Sequence, residues 1–203
     1  LANIGEDTIF ICEKCEYAEN KEVSDLGKSG GCPKCGSDIR EKKSIEVGNI
    51  FPLGTKYSEA FNLKYRDKKG AEHFVVMGSY GIGPGRVMGT VVEVYHDASG
   101  ILWPMSIAPF QVHVLALGTD KAVADAAHKL YANLERAGIE VLFDDRDEMS
   151  GVKLKDADLL GLPYRAVLSS KTSSQIELKL RNEKETRLVS ESELLNTVSV
   201  QKK

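Results

Sequence analysis

Met77-Gly78-Ser79-Tyr80-Gly81-Ile82-Gly83-Pro84-Gly85-Arg86 is the stretch on which the reading of this chain turns. Residues 73–77 before it have the composition of a strand. After it, Val87, Val91 and Val94 recur at helical spacing between Arg86 and His96, and His96-Asp97-Ala98-Ser99-Gly100 stops that helix. The order is strand, glycines, arginine, helix. It is not a dinucleotide fingerprint, because Arg86 occupies the place of the last glycine in G-x-G-x-x-G, and no Gly-Lys-Ser/Thr makes it a P-loop. Glycines let a flat ligand lie against bare backbone, and an arginine at a helix start can stack on a base or pair with a phosphate. From these residues alone, a tight strand–helix turn with a solvated arginine explains the stretch equally well.

Upstream, residues 45–51 and 61–66 read as short strands, with Asp67-Lys68-Lys69-Gly70 turning the second toward residues 73–77. Further upstream all four cysteines fall in two pairs, Cys12-Glu13-Lys14-Cys15 and Cys32-Pro33-Lys34-Cys35. Sixteen residues separate the pairs, inside the C-x2-C-x15–20-C-x2-C window for zinc. Two residues between ligands let one tight turn aim both sulfurs at a tetrahedral ion, and Gly36 gives the backbone freedom to bring amides toward the thiolates. Cys12, Cys15, Cys32 and Cys35 are therefore the candidate ligands of a structural Zn²⁺, with the loop 24–31 between them and a four-sulfur set that leaves no open catalytic position. Two disulfides in a secreted domain, or a site without metal, are the alternatives.

Downstream of Pro109 the pattern becomes an alternation of strands and helices. Residues 112–117 form an apolar strand. Ala122, Val123, Ala126, Ala127, Leu130, Leu134 and Ala137 share one helical face, with Asp120 near the start and Gly138 just past the end. A strand at 139–143, a helix at 152–160 stopped by Gly161 and Pro163, and strands at 165–169, 176–180 and 186–189 follow. Ser190-Glu191-Ser192-Glu193 is a capping box opening a last short helix. This order predicts parallel pairing with right-handed crossovers, completed by a hairpin.

With 203 residues, 42% hydrophobic and 28% charged, the chain is long enough for one or two folded domains. No apolar run approaches a membrane span, and LANIGEDTIFICEK does not read as a signal peptide, so a cytoplasmic protein is expected. The net charge of −3, with neither half basic, excludes nucleic-acid binding by bulk charge and leaves only local patches.

The G-x-G-x-x-R arrangement ending at Arg86 resembles motif 3 of class II aminoacyl-tRNA synthetases. The stretch Ile45-Glu46-Val47-Gly48-Asn49-Ile50-Phe51-Pro52-Leu53-Gly54-Thr55-Lys56-Tyr57-Ser58 is similar to a signature of the bacterial-type prolyl-tRNA synthetases, as are residues 78–86, 96–110 and 144–163. The resemblance covers nearly the whole chain. It implies an α+β part followed by an α/β part. Residues 1–108, including the four-cysteine zinc-knuckle segment at 12–35, would be the C-terminal part of an antiparallel class II catalytic domain, and residues 109–203 an anticodon-binding domain with a mixed sheet. It implies a reaction in which proline and ATP, with Mg²⁺, give prolyl-adenylate, from which the prolyl group passes to tRNA(Pro). Arg86 then corresponds to the arginine that holds ATP, Gly81 and Gly83 lie under the nucleotide, and Asn49, Phe51, Ser79 and Gly81 line the site for L-proline. A homodimer is expected of the whole enzyme, and no membrane partner.

The chain departs from the family at several points. Histidine is common where Asn49 stands and cysteine where Ser79 stands, and Pro84 can give no backbone N–H. Many members carry a long editing insertion between a Tyr-Ala-x-Asn stretch, here Tyr17-Ala18-Glu19-Asn20, and Ile45. Only residues 21–44 fill that gap, so hydrolysis of mischarged tRNA by such a domain is not expected. Motifs 1 and 2 would lie upstream of Leu1, and this polypeptide alone is not expected to aminoacylate.

In the second domain, Asp144-Asp145-Arg146-Asp147 follows a strand at the carboxyl edge, where open α/β sheets bind ligands. Lys153 and Lys155 follow on the next helix. Splayed bases are read by hydrogen bonds and stacking, which makes Asp145, Arg146 and Lys153 the candidate anticodon contacts. A solvated acidic loop at a helix start is the alternative. His113 reads as a core or edge residue, His73 as a strand opener, His128 as a helix-surface residue and His96 as a helix end. Competing readings of the whole are a free-standing tRNA-binding accessory module and a zinc-ribbon interaction protein that binds no nucleic acid.

Overall fold

The computed structural model describes residues 1–26, 30–172 and 174–200. Residues 27–29, in the middle of the loop expected between the cysteine pairs, lie outside the described residues. The chain forms two compact units, Leu1–Val94 and Tyr95–Lys203.

In the first unit β1 (Asp7–Ile11) lies between β2 (Ala18–Asn20) and β3 (Arg40–Ser44), antiparallel to both. The cysteine turns leave this small sheet. Next come β4 (Gly48–Gly54), α1 (Lys56–Ala60), β5 (Lys64–Arg66), β6 (Glu72–Phe74), β7 (Met77–Ile82) and α2 (Pro84–Val94). β4 pairs with β7, and β5 with β6, both antiparallel.

The expected strands at 45–51, 61–66 and 73–77 are displaced. Residues 61–62 close α1, with Phe61 as its C-cap and Asn62 in the left-handed region at φ 54°, so β5 is only three residues long. The glycine run is itself strand as far as Ile82, because β4 supplies partners for it. The helix expected from Arg86 opens two residues earlier on Pro84, where a missing N–H costs nothing and φ is already helical.

The second unit opens with a small hairpin, β8 (His96–Asp97) and β9 (Gly100–Ile101). Asp97 Oδ1 accepts hydrogen bonds from the amides of Ser99 and Gly100 at 2.7 and 3.0 Å, which turns the chain where the helix stop was expected. A five-stranded sheet follows in the order β11-β10-β12-β13-β14. It comprises β10 (Val112–Leu117), β11 (Val141–Asp144), β12 (Tyr164–Ser169), β13 (Ile176–Leu180) and β14 (Arg187–Val189). The first three are mutually parallel, β13 runs antiparallel to β12 and β14 antiparallel to β13, the mixed sheet that the alternation predicts.

Of its helices, α3 (Lys121–Arg136) is capped by Asp120, whose side chain accepts from the Ala122 amide at 2.9 Å. The capping box at the start of α5 (Glu191–Val200) forms, with the Ser190 amide donating to Glu193 Oε2 at 2.7 Å. One sheet face, with Val112, Val114, Tyr164, Ala166 and Leu178, packs with Leu130, Leu134, Leu194 and Val198 into the main core. The other face, with Leu115 and Val167, packs on Ala157 of α4 (Ser150–Leu160).

The boundary expected at 108/109 and the division between compact units do not coincide. Residues 95–108 pack within the second unit. Arg181, 9% exposed, donates to both oxygens of Asp97 at 2.8 Å, and the Trp103 amide donates to the Gly161 carbonyl at 3.1 Å. Gly161, at φ +70°, sits so tightly on the hairpin that a Cβ there would lie 1.8 Å from the Ile101 carbonyl oxygen.

Candidate functional site

The antiparallel register of β4 and β7 sets Asn49 opposite Gly81 and Phe51 opposite Ser79. Directly opposed residues share a face of a ribbon, so all four fall on one side. Ile50, Tyr80 and Ile82 fall on the other, 85%, 84% and 70% exposed. At the Asn49–Gly81 end of the ribbon opens a crevice of about 310 Å³ lined by Asn49, Phe51, Gly81, Gly83 and Arg86 together with Glu46, and Ile82 also contributes to its wall. A Cβ on Gly81 would meet nothing within 4 Å, so bare backbone forms that part of the wall. Five of the six residues expected around nucleotide and amino acid are thus brought together. Ser79 lies one pair further along the ribbon and does not line the crevice.

Arg86 reaches the crevice from the first turn of α2. Its Nη1 donates to the carbonyl oxygen of Glu46 at 3.3 Å and to Glu46 Oε1 at 3.2 Å, and Asn49 Nδ2 donates to the same Oε1 at 2.9 Å. Glu46 is the residue that reading the sequence for function missed. It lies forty residues from Arg86 in the chain, and its only signal was its place in the Ile-Glu-Val-Gly stretch.

The cysteines form a second site. Sγ–Sγ distances are 3.5 Å for Cys12–Cys35 and for Cys15–Cys32, and all four sulfurs lie within 4.8 Å of one another. All four are free thiols, with sulfurs far beyond the ~2.05 Å of a disulfide. Four sulfurs at ~2.3 Å from one tetrahedral ion stand about 3.8 Å apart, so the donor set fits such an ion.

The two turns repeat each other. The Glu16 amide donates to the Cys12 carbonyl at 2.9 Å, and the Gly36 amide to the Cys32 carbonyl at 2.8 Å. Both residues sit left-handed, at φ 58° and 72°. Ser37, through hydroxyl and amide, draws the Cys35 thiol down to about 6. Cys15 is pushed up to about 12, because burial and the neighbouring thiols outweigh the hydrogen bond from Tyr17. Thiols this close resist ionising together unless a cation sits among them.

In the second unit the loop after β11 is a tight ionic knot. Arg146 donates from Nε to Asp144 Oδ1 at 2.9 Å and from Nη2 to Asp144 Oδ2 and Asp156 Oδ2, both at 2.8 Å. That guanidinium holds the Asp144 carboxyl below its ordinary range. Asp145 and Arg146 are exposed. Lys153, expected beside them as an RNA contact, is instead only 4% exposed. Its ammonium donates to the carbonyls of Ala116 at 3.0 Å and Asp144 at 3.2 Å, so it braces the loop from beneath. His113 is buried as expected, and a cavity of about 360 Å³ opens between it, β11 and α4.

Residues 10–95 match the tRNA synthetase class II core domain (G, H, P, S and T), and residues 111–201 match an anticodon binding domain. Core and anticodon-binding parts joined in one chain are those of a class II aminoacyl-tRNA synthetase. Among relatives, the proline–tRNA ligase of Pelobacter propionicus is 45% identical over 201 residues, covering 97% of this chain and 34% of that protein. That of Syntrophus aciditrophicus is 46% identical over 189 residues, covering 92% and 32%. Prolyl-tRNA synthetase from Cryptosporidium parvum, solved with L-proline and AMP, superposes with a TM-score of 0.68 at 20% identity, over 86% of this chain and 38% of that one. The chain belongs to the prolyl-tRNA synthetase family and spans about a third of the length of the curated relatives it matches.

Proposed function

We propose that the chain carries the motif 3 wall of a proline–tRNA ligase and the domain that reads its tRNA. The observation supporting this most directly is the crevice, where Arg86, Gly83, Asn49 and the open backbone of Gly81 converge. In this reading the nucleotide lies over Gly81 and Gly83 and Arg86 leaves Glu46 to pair with its phosphates. L-Proline is held against Asn49 and Phe51, with Ser79 behind them. The proline carboxylate attacks the α-phosphorus, the Pα–O bond to pyrophosphate breaks, and the tRNA ribose hydroxyl then takes the prolyl group from AMP. No covalent enzyme intermediate is needed, so positioning and charge neutralisation are what these residues contribute. Mg²⁺ arriving with ATP would supply further charge neutralisation at the phosphates.

In the same reading Cys12, Cys15, Cys32 and Cys35 hold a structural Zn²⁺ that fixes the β1–β3 sheet. Asp145 and Arg146 face the anticodon, with Lys153 supporting their loop. The test is binding of the chain to proline tRNA and to the same tRNA with a swapped anticodon, at fixed near-physiological salt. A clear preference for the proline anticodon, weakened about tenfold by Arg146→Ala, is expected; a hydrogen bond to a charged group carries that much. Equal binding of both tRNAs would remove the anticodon role. For the crevice, calorimetry with ATP and Mg²⁺ should show binding that Arg86→Ala abolishes.

A further inference from the structure

The chain as a whole is acidic, but the first unit carries one basic patch that nothing above uses, the β5–β6 hairpin. Between residues 64 and 74, Lys64, Arg66, Lys68 and Lys69 stand against two acids, Asp67 and Glu72, so the hairpin carries +2 in a chain of −3. The antiparallel register sets Tyr65 opposite His73 on one face, with the Lys64–Phe74 and Arg66–Glu72 pairs on the other. Tyr65 is 52% exposed, and its ring leans on the His73 ring with centroids 5.5 Å apart, which holds the ring in place while half of its surface stays open. The tip is tied down as well. Asp67 Oδ1 accepts from the amides of Lys69 at 2.8 Å and Ala71 at 3.0 Å, its Oδ2 meets His73 Nε2 at 3.1 Å, and Gly70 turns the chain at φ +84°. Glu72 pairs with Arg66 at 3.2 Å and more loosely with Lys64 at 3.7 Å. Lys68 and Lys69 are exposed at the tip and make no ion pair among the described residues.

We infer that this hairpin holds the unpaired 3′ end of tRNA, with Tyr65 stacking on one base and Lys68 and Lys69 pairing with the adjoining phosphates. The inference rests on the reading of the crevice given above, in which the terminal ribose hydroxyl must come to this unit. β7 runs from the hairpin toward the crevice, and Met77 to Ile82 is five strand steps, about 16 Å. With its last ribose in the crevice, an RNA tail laid along this ribbon reaches the hairpin. An unpaired base can leave its stack and lie on an aromatic ring, and every base has a face that does so, so the contact tolerates any sequence. Fixed cations beside the ring meet the phosphates and release counterions. An acidic peptide would engage the lysines and leave the ring idle, whereas a single-stranded nucleic acid uses both. The contact adds affinity that is independent of the anticodon and sensitive to salt.

The experiment compares intact proline tRNA with the same tRNA trimmed of its unpaired 3′ nucleotides. Binding to the full chain is read by fluorescence anisotropy at stepped salt, with thermal melts to confirm that each variant is folded. Tyr65→Ala should weaken binding of the intact tRNA about tenfold and leave the trimmed tRNA unchanged, while Tyr65→Phe, which keeps the ring, should behave as native. Lys68→Ala combined with Lys69→Ala should make the salt slope for intact tRNA shallower by about 1.4, again without effect on the trimmed one. Swapping the anticodon should leave each of these ratios as it was. If the native chain binds intact and trimmed tRNA equally, if Tyr65→Ala weakens both alike, or if the salt slope does not move, the inference is overturned. Should ATP fail to bind the crevice in calorimetry, the reading beneath it falls; indifference to trimming while ATP still binds removes the hairpin contact alone.

Discussion

Gly161→Ala tests how the start of the second unit is held. Gly161 ends α4 at φ +70° and faces the hairpin with no room for a side chain; the new Cβ would lie 1.8 Å from the Ile101 oxygen and 2.3 Å from its carbonyl carbon. Gly138 is the built-in control, since it sits at φ +75° after α3 with nothing within 4 Å of its Cβ position. Gly138→Ala should cost only the left-handed conformation, about 1 kcal/mol. Gly161→Ala adds the clash. Both contacting atoms are backbone, so the hairpin must move away and the bond from the Trp103 amide to the Gly161 carbonyl is lost, about 1 kcal/mol more. With the loosened packing the total should reach about 3 kcal/mol. At a urea m-value of roughly 1.5 kcal/mol/M this lowers the midpoint by about 2 M. Trp103 is the only tryptophan in the chain and lies in the affected segment, so its fluorescence reports the transition. If the two variants unfold within about 0.5 kcal/mol of each other, the close-packing argument is wrong.

Three other outcomes are expected. Zinc analysis of the metal-replete chain should give one ion per chain, and Cys12→Ser or a strong chelator should unfold the β1–β3 sheet while leaving the second unit's melt unchanged. Glu16→Gly should stabilise the cysteine module by about 1 kcal/mol, because it relieves a non-glycine residue at φ 58°; a melt equal to or lower than native would refute that. Burial, followed by the Arg146 and Arg165 cations, outweighs nearby carboxylates and holds His113 down to about 4. Between there and the ordinary ~6.5 the unfolded chain binds a proton that the folded one rejects. Stability of the second unit should therefore fall as pH drops from 6.5 toward 4, and His113→Val should flatten that part of the profile in urea titrations at stepped pH.

How much could be read from the sequence differs between the units for a physical reason. The helices of the second unit announce themselves locally, through Asp120, the Ser190–Glu193 box and apolar residues at helical spacing, and its strands are short apolar runs. Their boundaries came within a few residues. In the first unit β7 is Met-Gly-Ser-Tyr-Gly-Ile, a composition with little strand preference, and it is extended because β4 pairs with it. A residue can be placed on such a ribbon only once its partner strand is known. The Arg86–Glu46 pairing was invisible for the same reason. Lys153 failed differently. Its type and its nearness to Arg146 suggested solvent, but in α4 it shares the inward face with Ala157, one turn on, and two backbone carbonyls receive its charge.

The paired cysteine turns carry a consequence for how this region can change. Each turn is closed by its own backbone bonds, and an ion held by the four sulfurs would pin the two together, so that the chain leaving Asn20 and the chain entering Cys32 would emerge at a fixed spacing whatever lies between them. Closing a longer loop costs little, about 0.6 kcal/mol for each doubling of its length. The module is thus a socket, able to accept a whole folded insert or a short connector without disturbing the sheet beneath it, and gain or loss of a domain at this point need not pass through a misfolded intermediate.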